Sequence, residues 1–371
     1  MAEHDWSDPS HFVKKIHVES SCLDLPYTQE ILDRAGLPWC TVADGEKPDT
    51  FSNTFSHSLS AGKQELFLCT NRGIFFKPCP GTREYRCCGY QILNTGSNCP
   101  IDCVYCILQA YLNTPWLLHY VNTERMFEEL DRGLSARPEV FFRIGTGEFS
   151  DSLALDRLTG LSRPLVAYFA EKKNAVIELK TKSASIANLQ GLDHRGQTVV
   201  AWSLNSPRLI KEREIRSASL SQRLAAARRC AEWGYRLAFH FDPLIIHPGW
   251  EEGYAETIAE LFRQVPTEAI AWISLGALRF IPRLKDTALQ RFSGTRIYHH
   301  EFVCGLDGKA RYFRAERVRL YRHIYQLLRR KAAEKTCIYF CMESDEVWQE
   351  VMGYVPEERG GLAMMLDSTV R

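Results

Sequence analysis

The chain has 371 residues, enough for one barrel-sized domain with extensions, and at that length folding buries about 75% of the surface an unfolded chain exposes. Hydrophobic residues make up 45%, charged residues 25%, and the formal net charge is +1, as in an ordinary soluble globular protein. No apolar run approaches about 18 residues and Met1–Trp6 carries no basic-then-apolar leader, so neither a membrane span nor an export signal is expected. Thirteen cysteines in such a chain suit a reducing, cytoplasmic setting, with thiols used for metal or catalysis rather than disulfides.

Taken in chain order, residues 1–60 are rich in Ser, Asp, Pro and His and predict a loop-rich extension with a short helix near Tyr27–Ala35. Leu66–Tyr90 is rich in Gly, Pro and Cys and suggests short strands joined by turns, closing an N-terminal extension over residues 1–88. From residue 89 to 295, strand-like and helix-like runs alternate. Strands are expected at Tyr90–Asn94, Val140–Ile144, Ala175–Lys180, Thr198–Leu204, Tyr235–Phe241 and Ala269–Leu275. Helices are expected at Cys106–Leu112, Thr123–Ser135, Ser152–Lys172, Ala184–Gln190, Leu220–Trp233 and Tyr254–Val265. That alternation implies a parallel sheet wound by right-handed crossovers, and six units make an α/β partial (β/α)6 barrel. Residues 296–371 read as a C-terminal region: a hairpin over Ile297–Phe313, signalled by Asp307-Gly308 as a type I′ turn, then a helix over Ala315–Ala333.

One motif dominates the chemistry. Cys99, Cys103 and Cys106 are spaced C-x3-C-x2-C within eight residues. Three thiolates can hold three irons of a 4Fe–4S cluster and leave the fourth iron open. An open iron can take S-adenosylmethionine, a source of radical chemistry. Three zinc ligands are the competing reading, although structural zinc sites use four ligands, commonly in separated pairs. Other polar residues fall at the ends of predicted strands, where α/β barrels gather their function: Gly145-Thr146-Gly147-Glu148, Thr181-Lys182, Ser203-Leu204-Asn205 and Asp242-Pro243. Glu148 suits the ammonium of S-adenosylmethionine and Lys182 its carboxylate, while Ser203 and Asn205 offer neutral donors and acceptors for the carboxylate or ribose. Cys69, Cys79, Cys87 and Cys88 match no ligand spacing and read as buried or turn-stabilising thiols. Cys337 and Cys341, on a helix-like stretch, read as packed thiols; His299-His300 and Trp272 read as structural.

Charge is unevenly spread. Arg279–Lys335 holds fifteen Lys and Arg against five Asp and Glu, a local net of +10. This is either a solvated helical face or the footprint of a phosphate-bearing partner.

The stretch Cys99–Asn113 resembles the radical S-adenosylmethionine superfamily, and Cys106-Ile107-Leu108-Gln109 narrows the resemblance to the spore photoproduct lyase family. Phe149-Ser150-Asp151, Thr181-Lys182, Trp202–Ser206, Arg223–Arg228 and His247–Tyr254 are similar to that family's motifs. The resemblance implies a partial barrel, one 4Fe–4S cluster on Cys99, Cys103 and Cys106, and S-adenosylmethionine contacted by Ser150, Lys182, Ser203 and Asn205. It implies reversal of a thymine-dimer lesion in DNA through a 5′-deoxyadenosyl radical, with an external one-electron donor such as a flavodoxin or ferredoxin. Tyr105, beside the third cysteine, is kept and joins the catalytic set. Lys309, Arg311, Tyr312 and Arg314 on the basic hairpin are expected to meet DNA. Two departures stand out: Glu148 occupies the position of the family's hydrogen-donor cysteine, and Ile107 that of its tyrosine. Cys304 or a thiol of the Cys79–Cys88 group is the available substitute. A different substrate (RNA, peptide or small molecule) is the first alternative, and a non-catalytic nucleic-acid-binding iron–sulfur protein the second.

Overall fold

The computed structural model describes residues 7–48, 55–82 and 84–371. Its principal sheet has eight strands. Seven are parallel: β1 (Gln91–Leu93), β2 (Phe142–Gly145), β3 (Ala175–Thr181), β4 (Thr198–Ser203), β5 (Arg236–Leu244), β6 (Ile270–Ala277) and β7 (Cys337–Phe340). They lie side by side in chain order, and Phe76–Pro78 pairs antiparallel on the outer side of β1. Chain-order neighbours with helical crossovers curl such a sheet into a half-barrel. β4 and β6 are buried at every position, as expected of a parallel sheet covered on both faces.

The six predicted strands are all present in their predicted order. β7 is a seventh, formed where the sequence suggested a helix: Cys337-Ile338-Tyr339-Phe340 is β-branched and aromatic, and it pairs with β6 from Trp272↔Cys337 onward. The long helix expected over Ser152–Lys172 is broken, because Gly160 takes φ +63° and ends the short helix Asp156–Thr159 before Ser162–Ala170 begins. Leu220–Glu232 starts where expected, on a capping box made by Ser219 and Gln222.

A second sheet has five strands, ordered Trp39–Val42, Lys15–Glu19, Glu65–Cys69, Leu117–Tyr120 and Gly96–Ser97; the first two come from the region read as loop-rich and the last two from beyond residue 88. It has its own apolar core, including Ile16, Val18, Ile31, Leu66, Leu68 and Leu117. Two of its strands, Gly96–Ser97 and Leu117–Tyr120, flank the cysteine motif in sequence. The cysteine loop is therefore anchored to the second sheet at both ends.

Among the described residues no helix is long and apolar enough to cross a membrane. At the end of β2, a Cβ on Gly145 would lie 1.5 Å from the Tyr90 hydroxyl. Gly145→Ala is expected to lose about 1–3 kcal/mol in urea unfolding, the usual cost of overpacking. Tyr90→Phe, which removes the clashing oxygen, should recover part of that loss in the double variant.

Candidate active site

The three cysteines sit on a loop whose backbone is held at every turn. Asn98 adopts φ +71°; its side-chain amide donates to the carbonyls of Pro115 (2.9 Å) and Trp116 (3.1 Å), and its Oδ1 accepts the Cys99 N–H (2.9 Å). Asp102 is buried between Lys63 (3.0 Å) and Arg291 (2.7 Å). Burial alone would raise its pKa, but the two cations outweigh it and bring the carboxyl to about 2. Gln109 donates to the carbonyls of Cys103 (2.9 Å) and Val104 (3.2 Å), and its own Oε1 accepts from Arg291.

The inner side of the loop is tied to the barrel by Glu214. Asp102–Cys103 pairs antiparallel with Glu214–Ile215, setting Glu214 opposite Cys103. The carboxylate accepts from the Tyr105 hydroxyl and pairs with Arg223, with Lys182 Nζ 3.9 Å away. Arg223 has no exposed side-chain surface and also donates to the carbonyls of Ser203 (2.8 Å) and Ala218 (2.9 Å). Burial opposes ionisation of Glu214, yet Arg223 and Lys182 outweigh it and hold the pKa below the ordinary value.

Ser150-Asp151 is fastened to the end of β3: Asp151 accepts from the Thr181 hydroxyl (2.6 Å) and from the Lys182 N–H (2.8 Å). Lys182, Ser203, Cys103 and Tyr105 therefore converge through Glu214 and Arg223. Glu148 lies within electrostatic reach of Lys180, deeper on β3. Asn205 lies at the end of the loop after β4 and bonds to the neighbouring strand end. Its Nδ2 donates to the Pro243 carbonyl (3.1 Å), and its Oδ1 accepts from the Ser206 N–H (3.1 Å) and the Tyr254 hydroxyl (2.7 Å). The side chain is occupied in holding the Asp242-Pro243 turn, so Asn205 positions the rim of the site.

The residues present fit an iron–sulfur cluster. Cys99, Cys103 and Cys106 are free thiols, each within electrostatic reach of the other two. Burial pushes Cys99 and Cys103 up, while Lys63 near Cys99 and Lys182 near Cys103 favour the thiolate. Three neighbouring thiols, two of them buried with a lysine close by, are a donor set that suits such a cluster.

Sequence reasoning missed the charged interior of the barrel. Glu178 on β3 accepts from Trp272 (3.1 Å) and bonds His240 (2.7 Å), which in turn bonds Ser274 (2.8 Å). Asp242 makes a two-point contact with Arg279 (3.0 and 3.2 Å). The signal was present: Glu178 and Lys180 are charged residues two apart on a strand otherwise apolar up to its last residue, Thr181, which puts both on one face.

The basic hairpin also differs from its predicted form. Its strands are Phe302–Cys304 and Ala310–Tyr312, and Arg279–Phe280 joins as a third. The connection is five residues long, closed by the Gly308 N–H on the Gly305 carbonyl (3.0 Å), with Gly308 at φ +74°. Asp307 has ordinary negative φ, so the two-residue type I′ turn is not formed. Arg311 is buried against Asp307 (2.7 Å), Lys309 reaches the same carboxylate (3.4 Å), and the buried Tyr312 ring stacks on Phe302. Arg314 is exposed and lies 3.4 Å from Glu350. Leu306 at the tip (78%) and Phe313 (44%) are exposed apolar side chains.

A curled parallel half-barrel with three thiols on the loop after its first strand defines the radical S-adenosylmethionine class of fold. The family model for spore photoproduct lyase matches residues 15–312, and the chain belongs to that family. It is similar to spore photoproduct lyase of Bacillus subtilis (strain 168), 24% identical over 84% of this chain and 89% of the relative. To the enzyme of Geobacillus sp. (strain Y412MC61) it is 27% identical over 87% of this chain and 93% of the relative. A solved cysteine-to-alanine variant of spore photoproduct lyase with dinucleoside spore photoproduct superposes with a TM-score of 0.80 at 24% identity, covering 88% of this chain and 98% of that one. A double variant with bound AdoMet and the same dinucleoside gives 0.79 at 24% identity, covering 90% and 99%.

Arg223→Met should destabilise the apo-protein by about 3–5 kcal/mol, because it leaves Glu214 buried without its main partner. Glu214→Gln in the same background should restore a measurable part, read by urea unfolding. Glu178 titrates at about 2: burial would raise it, but His240 outweighs burial. Its contribution to stability is complete above the unfolded value near 4.5 and fades as pH falls toward 2. Glu178→Gln should therefore flatten the stability–pH curve between about 4.5 and 2, and an unchanged slope there would contradict the assignment.

Proposed function

We propose that the chain is a radical S-adenosylmethionine carbon–carbon lyase that reverses a thymine-dimer-type lesion in DNA, with a 4Fe–4S cluster on Cys99, Cys103 and Cys106. The observation that carries this reading is the convergence of three mutually neighbouring thiols with Lys182, Ser203 and Tyr105 at the carboxyl ends of the strands. When bound, the cluster and S-adenosylmethionine supply a 5′-deoxyadenosyl radical that abstracts hydrogen from the substrate.

The chain's own residues orient and shield. Lys182 is a cation held at the site by its Asp151 and Glu214 contacts, and it suits the S-adenosylmethionine carboxylate. Glu148 suits the ammonium, with Ser150 and Ser203 as neutral partners on the neighbouring strand ends. Asn205 acts at one remove, through the Asp242-Pro243 turn. The half-barrel interior beyond Glu148 is polar and charged, and Lys180 there stays protonated because Glu148 and Glu178 outweigh its burial. Electrons come from an external donor of the flavodoxin or ferredoxin kind. All thirteen cysteines are free thiols, which suits the cytoplasm.

DNA contact falls to the hairpin. Leu306 and Phe313 are exposed apolar wedges and Arg314 is a neighbouring cation. An apolar wedge between base steps opens the stack, and lesion chemistry needs the lesion out of the duplex. Arg311 and Tyr312 support the hairpin from inside.

Anaerobically reconstituted protein, reduced and given S-adenosylmethionine with a dinucleoside thymine lesion, should convert the lesion into two thymidines, with cofactor cleavage read as 5′-deoxyadenosine. Cofactor cleavage without recovery of thymidine would move the activity to another substrate. Arg314→Ala should reduce the log–log salt slope of duplex binding by about 0.9, the value of one lost phosphate contact. An unchanged slope would remove the hairpin from the interface.

A further inference from the structure

A partly exposed thiol, an imidazole and a carboxylate stand in line across three neighbouring strands of the second sheet. Cys40 lies on the edge strand Trp39–Val42, His17 on Lys15–Glu19 and Glu65 on Glu65–Cys69. Parallel register sets His17 beside Cys40 on one side and beside Phe67, two residues beyond Glu65, on the other, so the three side chains share one face. The alternate positions Ile16, Val18, Leu66 and Leu68 belong to the apolar core of this sheet. The Cys40 sulfur is 3.3 Å from His17 Nδ1, and His17 Nε2 is 2.7 Å from Glu65 Oε2.

The chemistry of the groups gives this relay a direction. An ionised carboxylate only accepts, so the Glu65 contact keeps the proton of the neutral ring on Nε2. Nδ1 then presents its lone pair to the Cys40 S–H. His17 is 2% exposed, and burial holds it below the ordinary histidine pKa, with Glu65 pulling it up and Lys15, two residues back on the strand, pushing it down. A neutral ring with a free lone pair is what a general base requires. A nucleophile, a base and a group orienting the base, each within hydrogen-bond reach of the next, make an activated thiol. Cys40 and Glu65 engage different nitrogens of one ring, so they do not close on a single ion, and among the described residues no group of three metal-ligating side chains occurs. Cys69, on the same sheet, is the contrast: it is buried, and burial and the Glu19 carboxylate push its thiol up to about 12.

We propose that Cys40, His17 and Glu65 form a second, nucleophilic site at which Cys40 exchanges with low-molecular-weight disulfides. His17 takes the thiol proton as the Cys40 sulfur attacks one sulfur of the disulfide. The new S–S bond forms, the original one breaks, and the departing thiolate receives the proton back from His17. Cys40 is oxidised to a mixed disulfide while half of the reagent is reduced to thiol, so no further oxidant enters. Its partial exposure on an edge strand gives the disulfide access. Gly96–Ser97, which leads to the cysteine loop, is the opposite edge of the same sheet, four strand spacings or about 19 Å away. The exchange is therefore independent of the reaction at Cys99, Cys103 and Cys106.

The full chain, reconstituted and kept without oxygen, is treated with 2-hydroxyethyl disulfide, and the mixed disulfide on Cys40 is timed by peptide mass spectrometry. At pH 7 Cys40 is expected to react at least about tenfold faster in the native sequence than in His17→Gln, with Glu65→Gln in between. Both gaps should close near pH 9.5, about one unit above the ordinary thiol value, where hydroxide removes the proton without a base. A merely structural disturbance would persist at that pH. Equal rates at pH 7, or gaps that survive at high pH, overturn the proposal. If His17→Gln does not fold, the comparison with Glu65→Gln, at a partly exposed carboxylate, decides alone.

Discussion

A single buried carboxylate, Glu214, joins the cysteine loop to the barrel. Its backbone pairs with Cys103, and its side chain meets Tyr105, Arg223 and Lys182. A carboxylate taken out of water is costly unless its partners replace the lost hydration. Here those partners come from the thiol loop, from the helix after β4 and from the end of β3. Satisfying one charge thus fixes the relative placement of three elements that bear on the proposed chemistry. Arg223 extends the constraint to Ser203 through that residue's carbonyl.

The barrel interior repeats this logic at larger scale. Glu178, Lys180 and Asp242 are charged side chains on parallel strands whose other positions are mostly apolar, and Arg279 follows β6 on the short strand that joins the hairpin. Each has an opposite charge close by, so none is an isolated buried ion. Glu148 joins this set by its proximity to Lys180, at the position where a thiol is expected from the family resemblance.

The half-barrel was legible because its strands are apolar and alternate with helices, which marks even the short β1 and β2 by their place in the series. β7 was not, since Cys337–Phe340 lies after the alternating series and its strand character depends on pairing with β6. The N-terminal sheet escaped for a similar reason. Its parallel strands are short and separated by polar stretches, and parallel pairing between distant segments leaves little local signature. At the site, the thiols, Lys182 and Ser203 were readable from motif and strand position. Glu214 was invisible because its partners lie 9 to 109 residues away, and Arg311 looked solvent-facing until its pairing with Asp307 was seen.

The central claim is that the cluster on Cys99, Cys103 and Cys106 has one iron without a protein ligand. Electron paramagnetic resonance of oxygen-free, reduced protein measures this directly, compared before and after S-adenosylmethionine is added. A shift in the g-values of the signal carried by those three cysteines is the expected result, since the added molecule becomes a ligand. A spectrum that stays the same at saturating S-adenosylmethionine would contradict the account.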